Sequence, residues 1–282
     1  MQTRFKFHAT FLILILIILV IFNGCSKKSS DIQTSGSGER PTISAAERAL
    51  AMLEVQNTFS KHQRIRDNVE ELNTIWVRQD GPNAETAKWT QPMGIWEGLD
   101  AIMSYYGTAS RENERKTLEE ISKLYPDIKV TPENYGIGTW GVNSPTNPII
   151  EIAGDGKTAK GIWESNGPSL SSSVVDGKLE VHGTWFWRTY AVDFIKEDGQ
   201  WKIWHFNIVY DISSALDASY GMDYTKYRAP ERDTYGGGGV PGLPAPTRAN
   251  PDPYLNWSPL RIPQDQPRIP EPYYTFSETF SY

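Results

Sequence analysis

Hydrophobic residues are distributed along the chain in three ways, and each predicts a different kind of segment. Residues 11–22 form an unbroken apolar run of 12 residues. Residues 44–124 carry apolar positions at helical spacing. Residues 149–211 are rich in β-branched and aromatic residues, and the pairs Asp155-Gly156 and Asp198-Gly199 within them favour hairpin turns. Helices followed by an antiparallel meander predict an α+β fold.

The first helix has a clear start signal. Ser44 is suited to cap a helix, and Glu47 three residues later completes a capping-box pattern. A second helix is predicted from Asn68 to Trp76, with Asp67 as its N-cap. Two more helices are predicted, over residues 99–106 and 109–124.

The strands are predicted over residues 149–153, 158–165, 183–196 and 200–211. In the last of them a strict alternation of faces would place Trp201, Ile203, His205, Asn207 and Val209 together. We therefore expect His205 in the middle of the sheet, among aromatic residues and shielded from bulk water.

The N-terminal apolar run has the length of a signal-peptide core and falls short of the roughly 20 residues that a helix needs to cross a bilayer. Gly24 before Cys25 resembles the lipobox of bacterial lipoproteins, although Phe22 and Asn23 depart from its usual residues. The resemblance implies a signal peptide over residues 1–24 and a lipid on Cys25, which is the only cysteine. An uncleaved N-terminal anchor is the alternative.

Either alternative places the rest of the chain in the cell envelope, outside the cytoplasm and tied to a membrane. Ser26 after the cysteine resembles the outer-membrane sorting pattern of Gram-negative bacteria. Residues 25–42 are rich in Ser, Gly and Lys and predict a flexible tether. Residues 43–215 form the predicted domain.

Residues 216–282 form a C-terminal arm rich in proline, glycine and aromatic residues. Eleven of the 19 prolines lie at or after Pro230, which excludes a long helix or a central strand. We expect an extended arm whose aromatic side chains, including Tyr273, Tyr274 and Phe276, pack on the domain or on a neighbour. A flexible tail is the alternative.

Three stretches resemble the SnoaL-like branch of the nuclear transport factor 2 superfamily. They are LEVQN at 53–57, WEGLDAI at 96–102 and DFIKEDGQWKI at 193–203, and the resemblance covers residues 45–212. It implies a cone-shaped, curved antiparallel sheet packed on N-terminal helices, with a pocket inside the cone. It also implies dimerisation through the sheet.

The family's dehydratases use a histidine and an aspartate for acid–base chemistry, which needs a base with a pKa near the working pH. The resemblance makes His205, His62 and Asp67 the catalytic candidates, with His62 on the helix facing His205 across the pocket. A buried structural histidine and an N-cap aspartate are the plain alternatives. The candidate ligand-binding residues are Trp163, Trp187, Tyr106 and Asn207.

Charge and missing motifs narrow the function further. The net charge of −6 gives no basic field for nucleic acid. No phosphate loop, nucleophile elbow or zinc motif occurs, so no cofactor or metal is predicted. The favoured hypothesis is a membrane-anchored domain that binds a small hydrophobic molecule without catalysis. The alternative is a cofactor-free acid–base lyase or isomerase, and whether the chain is an enzyme stays open.

Overall fold

A computed structural model of the chain describes residues 40–65, 69–215, 243–251 and 267–282, together with 257, 260 and 262. Cys25, the signal segment, most of the tether and Asp67 lie outside the described residues. Residues 41–282 belong to one structural unit.

Within the described residues, four α-helices and one π-helical turn precede most of the sheet. Helix α1 spans Ala45–Arg64 and starts at Ser44, where the predicted capping box with Glu47 is present. Helix α2 spans Val69–Ile75. Helix α3 (Leu99–Met103), a π-helical turn (Ser104–Ala109, the π segment) and helix α4 (Ser110–Leu124) follow one another without a break. The two separate helices predicted over 99–106 and 109–124 are therefore one continuous helical segment.

Seven strands form a single sheet. They are β1 Lys88–Gln91, β2 Gly94–Glu97, β3 Thr139–Gly141, β4 Ser144–Ile152, β5 Thr158–Val175, β6 Lys178–Glu197 and β7 Gln200–Ala215. Their order is β2-β1-β7-β6-β5-β3, with β4 also paired to β5. All neighbours are antiparallel except β1 and β7. The predicted α+β fold with helices before a curved antiparallel sheet is confirmed.

Strands β5 and β6 are longer than predicted because they continue into one long hairpin. Asp176-Gly177 closes this hairpin with positive φ at both residues, as Asp198-Gly199 closes the next one. The sequence carried the same turn signal at Asp176, but the serine-rich stretch before it lacks the apolar alternation of a half-buried strand.

The main core lies between α1 and one face of the sheet, which we call the helix-side face. Phe59 of α1 stacks on Trp163 of β5 with ring centroids 4.1 Å apart. Phe206 of β7 and Tyr190 of β6 join this cluster, and all four side chains are buried. Burial of such large aromatic rings is the main favourable term in folding.

The opposite face of the sheet is covered by residues 267–282, which we call the C-terminal segment. Its backbone carbonyls at Tyr273 and Tyr274 accept hydrogen bonds from Gly154 and Asp155. Phe276 packs on Trp204, with 4.8 Å between ring centroids. The expectation that aromatic residues of the arm pack back on the domain is confirmed for this segment.

A β-bulge in β7 decides which side chains face the helices. Asp193 pairs with His205 but Phe194 pairs with Ile203, so Trp204 is an extra residue. Ile203 and Phe206 therefore both pack in the helix-side core, while His205 faces the other way. The strict alternation expected from the sequence is wrong at this point, and His205 does not meet His62.

Candidate functional site

A cavity of about 240 Å³ lies on the helix-side face, between α1, the π segment and strands β6 and β7. Its walls combine aromatic rings with polar side chains in about equal number. The lining residues that matter below are His62, Gln63, Trp89, Tyr105, Tyr106 and Arg188.

The π segment brings two consecutive tyrosines to the cavity. Tyr105 and Tyr106 both contact the indole of Trp89, with ring centroids 4.6 and 4.5 Å from it. A π-helical turn inserts one residue into the helical repeat and is frequent at functional sites. Burial raises the pKa of Tyr105 to about 12, so its hydroxyl stays protonated and can donate a hydrogen bond at neutral pH.

His62 lies near the C-terminal end of α1 and is buried in the cavity wall, with 1% of its surface exposed. Its ring packs edge-on against Phe206 at 4.9 Å and against Tyr106 at 6.0 Å. Its Nδ1 lies 3.2 Å from Nε2 of Gln63. The structure thus places the imidazole beside the cavity.

Three residues of the cavity wall carry buried polar atoms that make no hydrogen bond within the described part of the chain. These atoms are Oε1 of Gln63, Nε1 of Trp89 and Nε of Arg188. An acceptor and two donors are therefore left unsatisfied around one small space. Leaving such a group unpaired costs about 1–3 kcal/mol, so these three atoms mark the cavity wall as incompletely satisfied.

His205 belongs to a second polar cluster, on the face that the C-terminal segment covers. Its Nδ1 lies 2.8 Å from Oδ2 of Asp193, and its Nε2 lies 3.1 Å from the carbonyl oxygen of Thr86. Lys160 donates to Oδ1 of Asp193 at 2.6 Å. The side chains of Lys160 and Asp193 are completely buried.

The C-terminal segment closes this cluster. The backbone N–H of Tyr282 donates to Oδ2 of Asp193 at 2.9 Å, and the hydroxyl of Ser281 donates to the same oxygen at 3.2 Å. The Lys160 ammonium lies 4.5 Å from the ring centroid of Phe280 and 4.8 Å from that of Tyr282. Each of these polar groups has its partner within the protein, which indicates a structural role. We call the cluster of Lys160, Asp193, His205, Ser281 and Tyr282 the clamp.

The electrostatics of the clamp agree with this role. Burial alone would raise the pKa of Asp193, but the hydrogen bond with His205 and the charge of Lys160 outweigh it and hold the pKa below its usual value. Burial lowers the pKa of Lys160, and the attraction of Asp193 opposes that shift.

The structure separates the residues that the sequence grouped together. Of the catalytic candidates, His62 lines the cavity, His205 lies on the opposite face and Asp67 falls outside the described residues. Of the ligand-binding candidates, only Tyr106 lines the cavity.

The other three ligand-binding candidates have different surroundings. Trp163 is fully buried in the core and donates to Oε1 of Gln56. Asn207 lies between Phe206 and Ile208, whose side chains pack on the helix side, so its own side chain points to the other face. Trp187 is 37% exposed and lies outside the cavity. Their assignment to the pocket is corrected accordingly.

Sequence reasoning missed three wall residues, namely Gln63, Trp89 and Arg188. Only Arg188 had a usable signal, since a lone cation within the run WFWRTY of β6 is unusual for a strand that packs against a core. Trp89 lies on a short strand that was not predicted, and Gln63 adjoins His62 on α1.

No family model matches the chain, and no curated protein matches it. Among solved structures it is similar to hexachlorocyclohexane dehydrochlorinase LinA-type3 from Novosphingobium barchaimii LL02, with 16% identity, a TM-score of 0.40, and 64% of this chain and 99% of that chain covered. It is also similar to a nuclear transport factor 2-like superfamily protein from Salmonella enterica serovar Typhimurium LT2, with 10% identity, a TM-score of 0.38, and 61% and 99% covered. These likenesses concern the course of the backbone alone.

The fold and the cavity together define an antiparallel sheet packed against helices, with a small pocket between the two. Within the described residues, no helix is long and apolar enough to cross a membrane.

Proposed function

We propose that this chain is an envelope lipoprotein whose domain binds a small molecule built on a single ring, in the cavity between α1 and the sheet. The observation that carries the proposal is an aromatic cavity whose wall holds unsatisfied polar atoms of Gln63, Trp89 and Arg188. A concave space that combines aromatic walls with directed polar groups is a common form of a small-molecule site.

The size of the cavity supports a single ring. A dry engineered cavity of roughly 150 Å³ admits benzene, and the cavity here measures about 240 Å³. A substituted ring would therefore fit, whereas a polycyclic skeleton would need the walls to move.

A matched pair of serine variants on one helix tests the binding site. Ser110 lines the cavity and donates to the carbonyl of Tyr105, while Ser122 lies away from it and donates to the carbonyl of Glu119. Ser110→Phe would fill the cavity, and Ser122→Phe serves as the control. Thermal shift of the full chain with indole, benzoate or benzamide should show stabilisation by at least one probe in the wild type and the control, but not in Ser110→Phe.

The proposal fails if no probe stabilises the wild type, or if Ser110→Phe responds as strongly as the control. Stabilisation by bound ligand follows the ratio of ligand concentration to dissociation constant, so a titration gives the affinity directly.

Acid–base catalysis in the same cavity is a second candidate, because an imidazole and tyrosine hydroxyls border one space. His62 would accept a proton next to a carbonyl group, and the Tyr105 hydroxyl would donate to the carbonyl oxygen. Hydrogen–deuterium exchange at the methyl group of acetophenone, followed by NMR in D₂O, tests this step. Exchange should be lost in His62→Gln and kept in His205→Gln, whereas equal rates in both variants and in buffer would exclude it.

The lipid anchor at Cys25 is proposed on the sequence alone, from the lipobox and the lone cysteine. Metabolic labelling of cells with an alkyne-bearing fatty acid should mark the wild-type chain and leave Cys25→Ala unmarked. Equal labelling of both chains would contradict the lipoprotein assignment.

A further inference from the structure

The cavity wall contains one positive charge, and its surroundings are unusual. Arg188 lies on β6 and points to the helix side, where its Nη1 lies 3.2 Å from Oδ1 of Asn143 and 3.3 Å from the hydroxyl of Tyr190. Its guanidinium carbon lies 4.0 Å from the ring centroid of Phe186 and 5.1 Å from that of Tyr210. All four neighbours are neutral side chains.

No aspartate or glutamate within the described ranges forms an ion pair with Arg188, and none perturbs its ionisation. A guanidinium stays charged at any pH that a folded protein tolerates. Arg188 is half-buried, and even partial burial of such a charge without a counter-ion is costly, while aromatic faces return only part of that cost. The Nε–H of Arg188 is buried and has no acceptor among the same residues.

Lys160 differs from Arg188 in having an acidic partner. Both cations lie on the central strands and contact aromatic rings, but Lys160 has Asp193 at 2.6 Å. Among the residues that the structure describes, the fold thus supplies an anion to the cation under the C-terminal segment and none to the cation beside the cavity.

We propose that the ligand of this cavity is an organic anion, a single ring bearing a carboxylate or a comparable oxyanion, and that Arg188 is its counter-ion. This inference rests on the proposed function, since it names the class of molecule that the cavity takes. The planar fork of a guanidinium matches a carboxylate in a two-point contact.

Benzoate and benzamide test the charge directly, because they share size and shape and differ in the anionic group. The full chain is reconstituted in lipid nanodiscs, and each probe is titrated by calorimetry against empty nanodiscs as blank. We expect benzoate to bind the wild type at least about tenfold more tightly than benzamide, which corresponds to one charged hydrogen bond.

Substitution of Arg188 locates the preference. In Arg188→Gln the two probes should bind within about twofold of each other. In Arg188→Lys the charge is kept, so a preference for benzoate should persist in reduced form because the two-point contact is lost. Circular dichroism of each variant checks that the fold is intact.

The outcomes separate this inference from the proposed function. Equal affinities in the wild type, or a preference for benzoate that survives in Arg188→Gln, would contradict the proposal that the ligand is an anion. Benzamide binding that is lost in Ser110→Phe would still support the cavity as a binding site. If neither benzoate nor benzamide binds the wild type, both the proposed function and the organic-anion proposal are wrong. The wild-type ratio and its sensitivity to Ser110→Phe decide the case even if Arg188→Gln does not fold.

Discussion

Replacement of Asp193 by asparagine removes the charge at the centre of the clamp without changing its shape. The carboxylate accepts from Lys160, from the backbone of Tyr282 and from Ser281, and it lies 2.8 Å from Nδ1 of His205. Asparagine has one acceptor oxygen. Its amide N–H₂ group replaces the other carboxylate oxygen and cannot accept a hydrogen bond from the donors on that side. Lys160 is then buried without its counter-ion.

The expected loss is large because the pair is fully buried. Breaking a buried ion pair by removing one partner costs about 3–5 kcal/mol, while a domain has about 5–15 kcal/mol of stability in total. With a urea m-value of about 2 kcal/mol/M, the midpoint of unfolding should fall by about 1.5–2.5 M.

Urea unfolding followed by tryptophan fluorescence measures this shift, and limited proteolysis of residues 267–282 tests whether the C-terminal segment is released. Ser281→Ala is the comparison, because it removes one hydrogen bond to the same carboxylate and leaves the pairing of Asp193 with Lys160 intact, so it should cost only about 1–2 kcal/mol. A midpoint shift under about 0.5 M at an unchanged m-value would refute the clamp.

The pH dependence of the same variant gives a second check. The pKa of Asp193 is lowered in the folded state, so its ionised form stabilises the fold above the unfolded pKa of about 3.9. This contribution is lost as the pH falls through the lower, folded pKa. The stability of the wild type should therefore approach that of Asp193→Asn only below about pH 4.

Three further changes test other parts of the structure. Burial raises the pKa of Asp211 to about 6, so Asp211→Asn should stabilise the fold by about 1–3 kcal/mol at pH 8, with the gain fading as the pH falls toward 4; no gain at pH 8 in urea unfolding would contradict this. Gly167→Ala would place a Cβ 1.8 Å from the carbonyl oxygen of Val142 and should cost about 1–3 kcal/mol, seen as a lower Tm. Ser44→Ala removes the N-cap of α1 and should cost about 1 kcal/mol, and an unchanged Tm would show that the capping box contributes little.

The face of the sheet on which His205 lies could not be predicted from the sequence. Its burial and aromatic surroundings were predicted and are present, yet the face was wrong. A bulge adds one residue and inverts every side chain beyond it, and neither Trp204 nor His205 is a glycine or proline that would mark it. The cavity therefore kept only His62 of the two histidines expected to meet there.

Arg188 is the opposite case. The sequence shows an unusual cation within a strand, but it does not show that this cation borders a cavity. The alternation along β6 correctly separates Arg188 from Asp193, and a cation within an aromatic run can be seen in the sequence. Whether a buried cation has an anionic partner depends on residues far away in the chain, since Lys160 meets Asp193 33 positions away and Arg188 meets none in the described part.

The sequence by itself determined the features that depend on local chemistry. It determined the capped start of α1 at Ser44, the two hairpin turns at Asp155 and Asp198, and the position of the helices before the long antiparallel strands. These follow from backbone preferences within a few residues. Tertiary structure alone decided which face of β7 holds His205, how the C-terminal segment closes over Asp193, and that Arg188 borders a cavity, because each depends on contacts between residues distant in the sequence.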